Sequence, residues 1–432
     1  MLDIKSIREN PTEIEKKLKT KDPNVDISAL LDVDKKIRSV QLKVEELKFK
    51  RNSTSKEIGQ ILSQKKDASP LKKEVAVINQ EISKLEEELE NLKTSFSNIF
   101  NYIPNIPMDD IPISDSPNDN VCIFEHGEKR QFQFPPKNHI ELSDILNLFD
   151  FSRGAKLSGS GWPVYTGVGA QLEWALLNYM LDIHRKNGFC QIIPPLLVKP
   201  DIMLGSAHLP KFEGQLFKIN DEDFQLYLIP TAEAALNGLH YDEIIDSCKL
   251  PKQYVSYTPC FRRESGAAGE KERGLIRTHQ FNKVELFCIT KPEDSETFFN
   301  KMLQSAEEVI QGLELHYRNM LLVTSDMSFA SAKTIDVEVW LPGQNRYYEV
   351  SSVSNCTDFQ ARRSKIRYRD KNEKPNYVNT LNGSGVATSR LIASFLENHQ
   401  REDGSIYIPK ALQPYLNLSE IKAAHKEKEH AR

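Results

Sequence analysis

The sequence predicts an α+β protein, a mainly antiparallel sheet core with helices, preceded by an N-terminal antiparallel α-helical coiled-coil hairpin. Three observations predict it. Heptad stripes over 37–61 and 71–99 are joined by a short turn, a proline-rich break follows at 101–117, and the later strand-like runs lack a long crossover helix between every pair. The 432 residues, 39% hydrophobic and 27% charged, suffice for about two to three ordinary domains with a sizeable core.

In the first stripe Ile37, Val40, Val44, Leu47, Arg51, Thr54, Ile58 and Ile61 step alternately by three and four, with Arg51 and Thr54 as its polar interruptions. The second, Leu71, Val75, Ile78, Ile82, Leu85, Leu89, Leu92, Phe96 and Ile99, has no interruption. Between them Pro70 suits the first turn of a new helix and Ser69 its cap. At 1.5 Å per residue each arm is about 43 Å long, so the hairpin projects beyond a compact globule. Residues 35–66 carry ten Lys/Arg and three Glu, and residues 71–98 carry four Lys and six Glu, hence +7 and −2. Solvated coiled-coil faces are the plain account of this asymmetry, and a basic stripe for a phosphate backbone is the sharper one.

Pro104, Pro107, Pro112 and Pro117 fall among Asn, Asp and Ser, a composition that resists helix and strand. The boundaries expected are therefore a hairpin domain at 1–103, a linker at 104–120, the α+β domain at 121–418 and a polar tail at 419–432. Within the α+β domain, Leu172, Leu176, Met180 and Ile183 line one face of a helix over 170–183, which Gly188 should stop. Phe189 to Pro195 reads as a strand that its prolines confine to an edge or an interface. The runs 255–261, 282–289, 335–341 and 346–350 are strand-like.

Composition removes several function classes. With 57 Lys+Arg against 61 Asp+Glu the net charge is −4, so a nucleic-acid partner must be held by a local patch. No apolar run approaches the ~20 residues of a membrane span, and the start MLDIKSIREN is charged where a signal peptide is apolar, so a cytoplasmic protein with no membrane partner is expected. The six cysteines form no C-x-x-C pair and are expected to be reduced and mostly buried, with no disulfide framework and no zinc.

No Walker loop, Rossmann glycine fingerprint, H-E-x-x-H or nucleophile elbow is present, so phosphate chemistry must depend on side chains. Phe261-Arg262-Arg263-Glu264, a Gly/Ala-rich stretch at 265–269 and Arg277-Thr278-His279-Gln280-Phe281 form two strand-like segments with arginines at both ends of a loop. Such a device can grip a polyphosphate from two sides, and a charged surface hairpin is the plainer alternative.

This pattern resembles motif 2 of the class II aminoacyl-tRNA synthetases, F-R-x-E, a variable loop, then R-x-x-x-F. Gly188 to Val198 resembles motif 1, and Asn382-Gly383-Ser384-Gly385 with Arg390 resembles motif 3. Thr231-Ala232-Glu233, the segment Glu349 to Asn355 and the hairpin narrow the resemblance to the bacterial-type seryl-tRNA synthetases over nearly the whole chain.

The resemblance implies a homodimer that activates L-serine with ATP to seryl-adenylate and transfers it to tRNA(Ser) and, where one exists to be charged, tRNA(Sec). The hairpin becomes the tRNA-binding domain and 121–418 the catalytic domain. By the same resemblance Arg262 binds the α-phosphate and the serine carboxylate, Arg263 and Glu264 line the nucleotide, and Arg277 and Arg390 hold the β- and γ-phosphates. Catalysis rests on Arg262 and Arg390. Phe281 stacks adenine, with Thr278 beside it. Glu349 and Ser352 become ligands of Mg²⁺ bound with ATP, and Val350 and Ser351 border the nucleotide. Serine falls to Thr231, Ala232, Glu233, Arg262, Glu285 and Ser384, with a buried Glu285 telling a hydroxyl from a methyl. Asp336 and Glu338 are set aside as a polar strand face, and no histidine carries a catalytic role, His279 being structural and His425 and His430 lying in the tail.

The chain departs from the family pattern at Arg263, where a small polar residue is common, at the acidic loop Glu270-Lys271-Glu272, and at Ser389, where Gly is usual. An amino-acid:carrier-protein ligase shares the core but lacks the hairpin, which the intact heptads disfavour. A dead paralogue acting as a coiled-coil scaffold should have lost charged site residues, yet Arg262, Arg277, Glu349 and Arg390 stand.

Overall fold

The structure is a computed structural model that describes residues 1–264, 274–371 and 373–422. The motif 2 loop at 265–269, Glu270-Lys271-Glu272, and the tail with His425 and His430 lie outside the described residues. The chain divides into two compact units, Asp3–Pro104 and Asn105–Arg432 with Met1–Leu2.

In the smaller unit the heptad stripes become helices α1 (Ser28–Ser63) and α2 (Ser69–Phe100). Every position of both stripes is buried or half-buried, with Val40, Val44, Thr54, Ile78 and Ile82 deepest, because each helix shields one face of the other. Lys48–Glu86 at 2.7 Å and Lys50–Glu74 at 2.8 Å tie the antiparallel pair across its flanks. Helix α1 starts nine residues before its stripe. The early turns pack on two short helices, Ile4–Glu9 and Pro11–Lys19, where Arg8 grips the buried Asp34 with both Nε (2.8 Å) and Nη2 (2.6 Å). Ser69 does not cap α2 as expected. Asp67 takes that part, accepting the Ser69 amide at 2.9 Å, and its hydrogen bonds from Ser69 hold its carboxyl below the ordinary range.

The larger unit is built on an eight-stranded sheet. Its strands are β1 (Val121–His126), β2 (Cys190–Gln191), β3 (Lys252–Phe261), β4 (Gln280–Thr290), β5 (Tyr317–Leu321), β6 (Lys333–Leu341), β7 (Arg346–Asn355) and β8 (Asn379–Ala387). Their order is β1-β5-β6-β7-β8-β4-β3-β2, antiparallel throughout except the edge pair β2–β3. Alternation is plain in β6, where Ile335, Val337, Val339 and Leu341 are buried and Asp336, Glu338 and Trp340 face the other way, half-buried. Helices α3 (Gly167–Lys186), α4 (Ala232–Gly238), α5 (Ser295–Gly312) and α6 (Thr388–His399) complete the site-bearing framework. Leu172, Leu176 and Met180 of α3, Phe299 and Met302 of α5, and Leu391 and Phe395 of α6 share one buried cluster with Val255, Val284 and Leu286 of the sheet. Each such side chain contributes roughly 1.5–3 kcal/mol of burial.

Several expectations need adjustment. The strand read at 189–195 is only Cys190–Gln191, since Pro194 and Pro195 cannot donate to a ladder. The segment read as a linker packs on the larger unit from its start: the buried Asn105 amide donates to the carbonyls of Ala330 and Cys356, each at 2.9 Å, and Ile111 is buried with Leu322 and Met327. The segment read as a tail opens with Glu420–Ile421, paired to Ile406–Tyr407 with Ile421 buried. All six cysteines are free as read, but only Cys260, Cys288 and Cys356 are buried, while Cys122, Cys190 and Cys248 are exposed. No helix among the described residues is long and apolar enough to cross a membrane.

Candidate active site

Strands β3 and β4 pair from Lys252–Ile289 to Phe261–Gln280, and the Arg262 amide donates to the His279 carbonyl at 2.8 Å, extending the ladder one step. The two arginine-bearing segments are therefore held face to face by backbone. Period-two alternation puts Phe281, Lys283 and Glu285 on one face of β4. The Arg262 guanidinium lies 5.1 Å from the Phe281 ring centroid, and its Nε donates to the Pro230 carbonyl at 3.3 Å. The His279 Nδ1 sits 3.0 Å from the Arg262 carbonyl oxygen and the ring leans on Trp162, so His279 braces this turn.

Two bulges bring the other strands to the same place. In β6–β7 the register runs Asp336 to Ser352 and Val337 to Ser351, then Glu338 to Glu349, so Val350 is an extra residue. Three residues apart, Glu349 and Ser352 would face opposite sides of a regular strand. The bulge restores them to one face, with Asp336 and Glu338 beside them. In β4–β8 the register shifts between Lys283–Ala387 and Glu285–Ser384, across Gly385 and Val386. Val386 has φ +99°, and a Cβ on Gly385 would meet His184 Nε2 at 2.5 Å, so glycine is needed for this close approach. Directly after this bulge α6 begins and presents Arg390 in its first turn.

The result is a cleft lined by Arg262, Glu264, Arg277, Thr278, Phe281, Lys283, Glu349, Val350, Ser384 and Arg390. Arg277 pairs with Glu264 at 2.6 Å and Arg390 with Glu349 at 3.0 Å, so two guanidinium groups already hold carboxylate oxygens in charge-assisted contacts of the kind phosphate oxygens would make.

Beside the cleft lies a small buried polar pocket. Thr231 is the N-cap of α4, its Oγ accepting the Glu233 amide (3.3 Å) and donating to Glu285 Oε2 (2.7 Å). Glu285, 2% exposed, also pairs with the cleft-lining Lys283, and sits opposite Ser384 across the β4–β8 ladder. Glu233 accepts from Gln360 Nε2 (2.6 Å) and Asn382 Nδ2 (3.1 Å). Burial first, then the neighbouring Glu285 charge, push the Glu233 carboxyl up to about 7. Ala232 is fully buried and packs in a cluster with Leu236 and Phe287.

Three of the residues the sequence proposes for the nucleotide do not line the cleft. Arg263 is exposed, on the other side of the strand end from Arg262, because neighbours on an extended chain alternate. Ser351 is buried on the opposite face of β7 from Glu349, its hydroxyl donating to the Ser384 carbonyl. Ser352 stands outside the lining, directly opposite Asp336 across the β6–β7 ladder. Conversely, Lys283, Asn382 and Gln360 were missed. Alternation from Phe281 through Lys283 to Glu285, and from Asn382 to Ser384, held the signal for the first two. Gln360 comes from a distant helix and left none. His208 was also missed. It is pushed down to about 3 by burial and then by the charges of Arg262 and Lys283, and is therefore neutral.

Among the described residues no group of three or more His, Cys, Asp or Glu forms a metal cage. The hard oxygens nearest to one are Glu349, Ser352 and Asp336. The Asp336 Oδ1 is shut off from solvent without a hydrogen-bond partner, and burial, then Glu349, hold that carboxyl well above its ordinary range.

Comparison with known proteins gives two family models, the seryl-tRNA synthetase N-terminal domain over residues 1–107 and the class II tRNA synthetase core domain (G, H, P, S and T) over residues 216–399. The serine–tRNA ligase of Chlamydia muridarum is 48% identical over 421 residues, 98% of each chain, and that of Chlamydia felis 49% over 424 residues, 98% of this chain and all of the other. Among solved structures, seryl-tRNA synthetase from Pyrococcus horikoshii complexed with ATP superposes with TM-score 0.91 at 39% identity, covering 98% of this chain and 100% of that one. The cytoplasmic serine–tRNA ligase of Naegleria fowleri in complex with AMP gives 0.86 at 28%, covering 98% and 99%.

Proposed function

The chain belongs to the seryl-tRNA synthetase family and is an ATP-dependent serine–tRNA ligase, and from that premise we propose how its residues divide the work. Arg262 bridges the α-phosphate and the serine carboxylate, and Phe281, whose ring lies 5.1 Å from that guanidinium, takes adenine. A serine carboxylate oxygen attacks the α-phosphorus, the bond to the bridging oxygen breaks, and pyrophosphate leaves. Charge builds on phosphate oxygens during this step, and Arg262, Arg277 and Arg390 neutralise it with no protein nucleophile or general base. A 2′- or 3′-hydroxyl of the terminal adenosine of tRNA then attacks the seryl carbonyl, releasing AMP.

The serine hydroxyl is read by the Thr231–Glu285 pair and its ammonium by Glu233, with Asn382 and Ser384 closing the pocket. An alanine in that place would leave Glu285 without a charge-assisted bond worth about 1.5–3 kcal/mol. Glu349 and Ser352 offer hard oxygens for Mg²⁺, an ion content with few protein ligands because it keeps waters and phosphate oxygens. The partnerless Asp336 oxygen beside them fits a nearby cation. When bound with ATP, the ion would screen phosphate charge. Glu349 would then exchange its Arg390 partner for it, leaving Arg390 to phosphate.

The basic face of α1 supports tRNA binding by the hairpin unit, with tRNA(Ser) as substrate and tRNA(Sec) charged where it exists. Homodimerisation through the motif 1 region is supported by exposed apolar side chains there, Ile193 (83%) and Leu197 (40%). A cytoplasmic location accords with work on tRNA.

The observation that carries this reading is the convergence of Arg262, Arg277, Arg390 and Phe281 on one cleft that adjoins the Thr231–Glu285 pair. Charging total cellular tRNA with each labelled amino acid in turn tests it. Serine alone should be esterified, and equal charging with threonine or alanine would overturn the pocket assignment.

A further inference from the structure

We propose that Glu173 is a positioning residue for ATP binding: from helix α3 it holds, through one carboxylate oxygen, both the strand that presents Phe281 and the helix start that presents Arg390. This deepens the reading above and rests on its assignment of Phe281 and Arg390 to the nucleotide.

Glu173 is buried in α3, with its neighbour Trp174 turned outward. Its Oε1 accepts the Asn282 side-chain amide at 2.7 Å and the Thr388 hydroxyl at 2.6 Å. Asn282 directly follows Phe281 in β4. Thr388 is the first residue of α6, two before Arg390, and its hydroxyl also lies 3.0 Å from the Asn282 carbonyl. One oxygen thus clamps two segments that meet beside the β4–β8 bulge, where the sheet ladder itself is interrupted. An apolar side chain would anchor α3 without the desolvation penalty a buried carboxylate incurs. What the carboxylate adds is a fixed distance between the adenine-stacking ring and the phosphate-binding guanidinium. Its other oxygen and the hydroxyl of Tyr165 are shut off from solvent and have no hydrogen-bond partner. Burial pushes the carboxyl up to about 7 against the two hydrogen bonds that favour its charge. Glutamine, which keeps an acceptor oxygen, is for that reason a close mimic.

The test is serine-dependent ATP–pyrophosphate exchange by the full-length enzyme, with initial rates taken against ATP and against serine separately. Glu173→Ala should raise the KM for ATP by about tenfold, as leaving the Asn282 amide unpaired while Thr388 falls back on the Asn282 carbonyl implies, with the KM for serine changed less than about threefold. Glu173→Gln should restore the KM for ATP to within about threefold of the parent. Thr388→Val, which deletes one donor and keeps the shape, should give an intermediate rise and covers the case in which Glu173→Ala fails to fold. Equal changes in both KM values, or a Glu173→Gln as impaired as Glu173→Ala, would overturn the positioning role. Phe281→Ala and Arg390→Ala serve as controls. If neither raises the KM for ATP, the assignment of the nucleotide site has failed. If they do and both Glu173→Ala and Thr388→Val leave it unchanged, only the inference about Glu173 has failed.

Discussion

Replacing Arg262 by lysine isolates what a guanidinium does that a positive charge alone does not. Lysine keeps the charge and most of the length. It loses the Nε bond to the Pro230 carbonyl (3.3 Å), which sets the plane of the group and is worth about 0.5–1.5 kcal/mol. It weakens the contact with the Phe281 ring at 5.1 Å, about 0.5–1 kcal/mol at a partly exposed site. It also loses the fork that can donate to the α-phosphate and the serine carboxylate together. Removing one such donor to developing negative charge costs about 2.7–4 kcal/mol. The first two terms act mainly through this third one, so they are not added in full. The expectation is a fall in the exchange rate of about 10²–10³-fold at saturating ATP and serine, at about 1.36 kcal/mol per tenfold. The melting temperature should barely move, since among the described residues the Arg262 side chain makes one long hydrogen bond and one ring contact. A lysine variant within about threefold of the parent would refute the view that fork geometry, rather than net charge, drives the first step.

Further outcomes follow from the same geometry. Because Glu233 gains its charge only as pH rises through about 7, the KM for serine should fall between about pH 6 and 8, and Glu233→Gln should flatten that profile. Glu285→Ala strands the Lys283 ammonium in a buried site, and thermal or urea unfolding should report a loss of about 3–5 kcal/mol, partly recovered when Lys283→Met is added. Lys36 and Lys43, exposed and one heptad apart on α1, should neutralise tRNA phosphates. Replacing both by Gln should weaken tRNA binding and lower the magnitude of the salt slope by roughly 0.7–0.9 for each phosphate left unneutralised, whereas an unchanged slope would return these lysines to ordinary solvation.

Legibility in the sequence tracked how local the governing interaction is. The heptad stripes could be read because each helix buries a face defined by residues three and four apart, and α1 and α2 contain them completely. The strands β3, β4, β6 and β7 could be read from short apolar runs, and each proved longer than its run because backbone pairing continues through polar residues such as Lys252, Gln280 and Asn355. The start of α1 could not be read, because Asp34 is an unremarkable helix residue until Arg8 reaches it. The cap at Ser69 failed for a different reason: Asp67 stands two residues away with an equally suitable side chain, and local rules do not choose between them.

The site divides along the same line. Residue types alone identified the arginine-ended hairpin, whose two segments carry their own signal, while Thr231-Ala232-Glu233 and the segment ending in Arg390 stood out only through the family resemblance. Which of those side chains share a face was settled by tertiary structure. The extra residue Val350 sets Glu349 beside Ser352, the interruption at Gly385 and Val386 launches α6 toward the cleft, and the alternation at a strand end turns Arg263 away. A bulge shifts every later side chain by one, and nothing in a strand's own composition announces it. Charge behaviour was decided there too. Lys283, Glu285, Glu233 and Glu173 are ordinary ionisable residues in the chain, and only their removal from water, beside partners such as Thr231, Gln360 and Thr388 from other segments, gives them the charge behaviour on which the proposed serine reading and nucleotide positioning depend.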